Sequence, residues 1–135
     1  SGVKRVTLLT HSMSASGGNE FLVQLSSGEV FENTGYLSRY NRTSGTGVAT
    51  EASTAGFILF NDAAALLHEI VVNFYLQDST NNTWIAEFIE AVNSTTIMAY
   101  GGGSKSLSGT LDGIRLTTVA GTETFDSGSA SIQFQ

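Results

Sequence analysis

Apolar and polar residues alternate most cleanly over residues 70–77. Ile70, Val72, Phe74 and Leu76 take every second place, with Val71, Asn73, Tyr75 and Gln77 between them. Period-two spacing predicts a strand whose two faces meet different surroundings. The same spacing recurs along the chain. Val6, Leu8 and Thr10 share one face of a strand over residues 4–10. Phe21, Val23 and Leu25 alternate with Leu22, Gln24 and Ser26, and Ile114, Leu116 and Thr118 with Arg115, Thr117 and Val119. A closing strand turns Ile132 and Phe134 inward and Ser131, Gln133 and Gln135 outward. Residues 56–60 (GFILF) read as a short, continuously apolar strand, and residues 96–100 as another short one.

Turn chemistry separates these runs. Ser27-Gly28 is a hairpin signal, followed by a return strand over 30–38 with Phe31 as its core residue. Residues 11–19, 78–82, 120–122 and 125–128 read as loops and turns, and Gly101-Gly102-Gly103-Ser104 as a flexible connector. Residues 38–53 carry no apolar pattern, so they read as a long loop, and loops on rigid scaffolds commonly carry function. Asn61-Asp62 can cap one helical turn over 63–68. Residues 83–93 fit two patterns. Trp84, Ile85, Phe88, Ile89 and Val92 form a helical stripe; as a strand, Trp84, Ala86, Phe88 and Val92 face inward and Glu90 falls out of pattern. About eight or nine strands with at most one short helix predict an all-β fold, an antiparallel β-sandwich of jelly-roll type.

Composition sharpens this picture. A chain of 135 residues suits one domain and buries roughly 68% of its unfolded surface, enough for a core without metals or disulfides. The absence of cysteine excludes thiol catalysis, Cys-based zinc sites and disulfides. The absence of proline and the abundance of Gly, Ser and Thr fit many short turns between strands. A net charge of −6 with six Lys and Arg gives no basic footprint for nucleic acid or an anionic membrane surface. No apolar run reaches the ~18 residues of a membrane span, so membrane insertion is not expected. The opening Ser1-Gly2, without Met, reads as a scar on a C-terminal fragment of something longer.

Catalytic signatures are missing. Neither His11 nor His68 sits in an HExxH motif, there is no GxSxG element, and the Gly run lacks phosphate-loop spacing. Glu87 and Glu90, like Glu29 and Glu32, cannot share one face of a strand. Asp78, Asp112 and Asp126 adjoin turn residues, where Asp commonly bonds its own backbone. No DxDxDG spacing marks a calcium loop. No enzyme activity, metal or cofactor is expected. The aromatics are more informative. Tyr36, Tyr40, Tyr100 and Trp84 lie at strand ends or beside loops, and aromatic faces flanked by Asn and Arg donors suit sugar rings. Arg39, Tyr40, Asn41 and Arg42 in the long loop, with Asn81, Asn82 and Trp84 at the 78–82 turn, are the candidate ligand-binding residues. Trp84 reads more readily as a hairpin core anchor than as a binding platform.

The segment GTLDGIRLTT followed by GTETFDSGSASI resembles the C-terminal module of bacteriophage tail and tail-fibre proteins. Residues 18–36, TAGFILF at 54–60, NNTWIA at 81–86 and GGGSKSLSG at 101–109 fall in the same order as that module's segments, so the similarity spans most of the chain. It favours the strand reading of residues 83–93. It implies a non-enzymatic virion part, made in the host cytoplasm, at or near a host-facing tip. It implies a homo-oligomer, by family habit a trimer, with other tail proteins and a bacterial surface glycan as partners. Two other readings fit the same motifs. One is an accessory carbohydrate-binding or trimerising domain of a polysaccharide-degrading tailspike. The other is an architectural collar, baseplate or capsid-decoration domain.

Overall fold

The computed structural model describes residues 2–94 and 96–135. Ser1 of the opening Ser-Gly pair lies outside them. Eleven strands follow in order: β1 (Arg5–Ala15), β2 (Phe21–Ser27), β3 (Val30–Phe31), β4 (Leu37–Ser44), β5 (Gly47–Ser53), β6 (Phe57–Leu59), β7 (His68–Asp78), β8 (Thr83–Val92), β9 (Ile97–Ser106), β10 (Leu111–Thr118) and β11 (Phe125–Phe134). Seven form one antiparallel sheet in the order β11-β1-β7-β8-β9-β4-β5. The other four form a smaller sheet in which β10, β3 and β6 all pair with β2.

The strand periodicity explains how the two layers meet. Val6, Leu8, Ile70, Val72, Phe74, Trp84, Ala86 and Phe88 line the inner face of the large sheet and are buried. Phe21, Val23, Leu25, Phe57 and Leu59 meet them from the small sheet. Phe57 packs against Phe74 with ring centroids 5.6 Å apart, and Phe21 stands edge-on to His68 at 4.8 Å. Strand β2 is buried on both faces. Residues 54–56 cross its outer side, where Gln24 Nε2 donates to the Ala55 carbonyl at 2.9 Å, and Arg115 donates to Gln24 Oε1.

The all-β sandwich is the expected one, with more strands than the periodicity counted. Residues 39–53 are not a loop: they lie almost wholly in the β4–β5 hairpin, registered from Ser38↔Ser53 to Ser44↔Gly47. Their polar sequence reflects a pair at the sheet edge, with β5 largely exposed. Strand β1 continues through residues 11–15, past a bulge at Ser12, whose φ is 48°. Residues 63–68 form no helix. Leu66 N donates to the Ala63 carbonyl in a single turn, and Asn93 bonds both the amide and the carbonyl of Leu67 after it. Residues 83–92 are a strand, and Glu90 points inward.

The predicted return strand over 30–38 shrinks to two residues after a tight turn at Gly28 and Glu29, both with positive φ. Such a pair marks the hairpin turn that matches strand twist. Phe31 is only half-buried, under the Arg115 guanidinium at 4.5 Å, and Tyr36 takes the core place. The Tyr36 hydroxyl accepts from Leu25 N and donates to the Glu32 carbonyl. Burial, ahead of the nearby Glu32 charge, pushes its phenol up.

Candidate functional site

The large sheet's solvent face is built by register. Across five pairings, Arg39 on β4 stands beside Gly102 on β9, Gly102 beside Glu87 on β8, Glu87 beside Asn73 on β7, Asn73 beside Thr7 on β1, and Thr7 beside Gln133 on β11. This polar row crosses six strands, about 24 Å at ordinary strand spacing. Two residues along the strands, Tyr100, Ile89, Val71 and Leu9 form one apolar ridge. Two residues the other way, Ile85 and Tyr75 form a second, with Ser104 between Ile85 and Leu37. Gly102, without a side chain, leaves the row open as a trough between Arg39 and Glu87.

Two depressions lie in this trough. One, of 290 Å³, is bounded by Arg39, Asn41, Thr50 and Tyr100 over Gly101 and Gly102. The other, of 240 Å³, is bounded by Val71, Asn73, Glu87 and Ile89. Tyr100 is 53% exposed. Its hydroxyl accepts from Asn41 Nδ2 at 3.3 Å, while Asn41 Oδ1 accepts from Thr50 at 2.5 Å. The Arg39 guanidinium has no hydrogen bond or ion pair among the described residues. Glu87 accepts from the Tyr75 hydroxyl at 2.9 Å, a bond that raises the Tyr75 phenol. Arg5 stacks over the Tyr75 ring and donates to Asn73, which also accepts from Thr7.

Strand alternation divides the sequence-predicted residues. Arg39 and Asn41 join the trough. Tyr40 points the other way and is buried against Phe60; burial, then Glu20, pushes its phenol far up. Arg42 also faces inward, 3.5 Å from Asp62 and over the Phe60 ring. Trp84 is 2% exposed and is a core anchor. Tyr40 and Trp84 therefore offer no ring face to a ligand. Asn81 is tied to Asp78 within its turn, and the Asn82 carbonyl accepts from Leu107 N. Thr50 and Asn73 were not singled out by the sequence, Glu87 entered it only as half of a rejected carboxylate pair, and Tyr100 only as an aromatic at a strand end, outside the candidate set. Only cross-strand register brings them onto one surface with Arg39, and a strand read alone does not contain it.

The titratable groups fall into separate settings. His11 bonds Glu69 through Nδ1 at 2.9 Å at an exposed edge, and that bond holds the Glu69 carboxyl below its usual range. No hydroxyl bonds the other ring nitrogen of His11 among the described residues. His68 and Glu90 are fully buried. Glu87 and Glu90 face opposite sides of β8. No group of three or more His, Asp or Glu able to hold a metal occurs among the described residues. Comparisons of the chain with protein-family models, with curated proteins and with solved structures give no match.

Proposed function

We propose that this chain is a glycan-binding module of a phage tail or tail-fibre protein and that the trough on its large sheet is the binding surface. The observation that carries the binding reading is Tyr100 standing exposed beside Asn41 and near Arg39, over a floor kept low by Gly102. A sugar ring presents apolar C–H faces and hydroxyl edges, so it needs an aromatic face with donors and acceptors beside it. The trough offers that chemistry along its length, on strands that need no rearrangement. The virion role rests on the ordered resemblance of the sequence segments. A surface poor in charge and rich in Ser, Thr, Asn and Gly accords with it.

Tyr100→Ala and Arg39→Ala are each expected to weaken binding of host surface oligosaccharides about tenfold, equivalent to ~1.4 kcal/mol, with thermal stability unchanged. Titration calorimetry against oligosaccharides from the host surface measures this. One observation favours an architectural role instead. Leu37, Ile85, Ile89 and Met98 are exposed on the same face, and apolar ridges also seat neighbouring proteins. Unaltered glycan binding in both alanine variants, together with loss of particle assembly in Ile89→Lys, would establish that second reading.

A further inference from the structure

Strand β11 closes one side of the large sheet, and its outer edge has no neighbour among the described residues. Free edges are templates for pairing, and proteins usually blunt them with charge, proline or bulges. This edge is not blunted over residues 129–134 (SASIQF), which carry no charge, proline or glycine and run in regular register with β1. The strand's single charge, Asp126, lies at its far end and accepts from Ser14 at 2.7 Å. Strand β5 carries Glu51 at the opposite edge, and β10 carries Asp112, Arg115 and a register shift. In a chain of net charge −6, β11 is thus the edge where a second copy meets the least like-charge repulsion.

The backbone and the side chains select the same partner. Gln135 and Arg5 exchange both hydrogen bonds, at 2.8 and 2.9 Å. Antiparallel alternation then leaves the N–H and C=O groups of Ala130, Ile132 and Phe134 pointing at the free edge. Those three residues also lie on the inner face, where the small sheet does not reach: Ile132 is 39% and Phe134 65% exposed. Beside them the sandwich opens into a 460 Å³ cavity lined by Met13, Leu116, Phe125 and Ala130.

We propose that β11 pairs antiparallel with β11 of a second copy of this chain, about a two-fold axis through Ile132. In this register Ile132 meets the partner's Ile132 and all three outward-pointing residues find reciprocal backbone partners. Each Phe134 falls opposite Ala130 of the partner subunit, a large side chain against a small one at the mouth of the cavity. The contact is isologous, so it closes on itself. It makes one continuous sheet with both troughs on the same side. The pairing stands whether or not the trough binds glycan, and a three-fold fibre cannot be built from it alone.

The absence of cysteine in the chain makes the register testable. Across the two-fold axis the paired Cα atoms of residue 132 stand about 5.5 Å apart, within disulfide reach. Ile132→Cys is expected to give a disulfide-linked dimer on mild oxidation, and Ser131→Cys, which sits opposite residue 133, far less. Light scattering of the unaltered chain should give twice the 14.2 kDa of one copy. Ile132→Pro removes an N–H that faces the free edge and not β1, so it should halve that mass with the circular dichroism spectrum retained. A monomer or trimer mass for the unaltered chain, or equal cross-linking at residues 131 and 132, overturns the proposal.

Discussion

Glu90→Ala is expected to destabilise the fold by about 3–5 kcal/mol, the usual loss when one member of a buried pair is removed. Denaturant titration measures it. Glu90 and His68 are both wholly buried, and Glu90 Oε1 stands 2.5 Å from His68 Nδ1. The other carboxyl oxygen accepts from Phe60 N at 3.1 Å. Asn61 Nδ2 donates to the carbonyls of Gly17 and Asn19, which turns Asn61 Oδ1 toward the ring. His68 Nε2 therefore donates to Asn61, at 3.1 Å. One proton lies between His68 Nδ1 and Glu90, and the pair as a whole carries no net charge. Alanine at position 90 would strand the Phe60 amide and one ring nitrogen in the core and leave a void beside Phe60.

The same pair makes a pH prediction. Burial, partly opposed by the bonds from His68 and Phe60, raises the Glu90 carboxyl above its ordinary 4.5. Above 4.5 an unfolded Glu90 releases its proton while the folded one retains it, so at this carboxyl the folded state binds the extra proton. The stability this group supplies is complete below 4.5 and is lost as pH rises through the raised value. Glu90→Gln mimics the protonated carboxyl: its amide donates to Nδ1 and its oxygen accepts from Phe60. The variant should keep most of its stability and lose this component of the pH slope. A Gln variant as unstable as the Ala variant would show that the pair needs a carboxylate charge.

Glu90 also shows how far the sequence could be read. As a strand, residues 83–92 put Glu90 among inward positions, an apparent fault in the pattern. The fault marked a buried partner, supplied by His68, which lies next to β8 only because β7 and β8 pair His68 with Val92 and Ile70 with Glu90. Layers and alternation were legible because they are local. Ile132 and Phe134 were rightly turned inward by parity, but parity cannot say that the opposite sheet stops short of them. The β4–β5 hairpin was missed because an edge pair buries little and so carries weak periodicity. The trough was invisible for the reason that Arg39, Gly102 and Glu87 are far apart in sequence and share only a cross-strand row.

Gly103→Ala is expected to destabilise the protein by about 3 kcal/mol, the upper part of the range for overpacking a closed site. The Gly101–Gly103 run reads in sequence as a flexible connector, yet it lies inside β9, between β8 and β4. A Cβ at Gly103 would overlap the Leu37 carbonyl oxygen and come within 2.9 Å of Ser38 Cα. A Cβ at Gly101 would meet the Arg39 carbonyl and Phe88, and one at Gly102 the Ala86 carbonyl. The obstacles are mostly backbone, so no rotamer change relieves them and β4 must move away from β9. Glycine inside a strand marks such close approach of a neighbouring backbone. That movement would also carry Arg39 and Asn41 away from Tyr100, so any Gly103→Ala protein that still folds should lose the glycan affinity proposed for the trough. Gly121→Ala is the control: its added Cβ meets nothing within 4 Å, and its positive φ adds only local strain of about 1 kcal/mol. Equal melting temperatures for the two variants would mean that the glycine run is not held between its neighbouring strands.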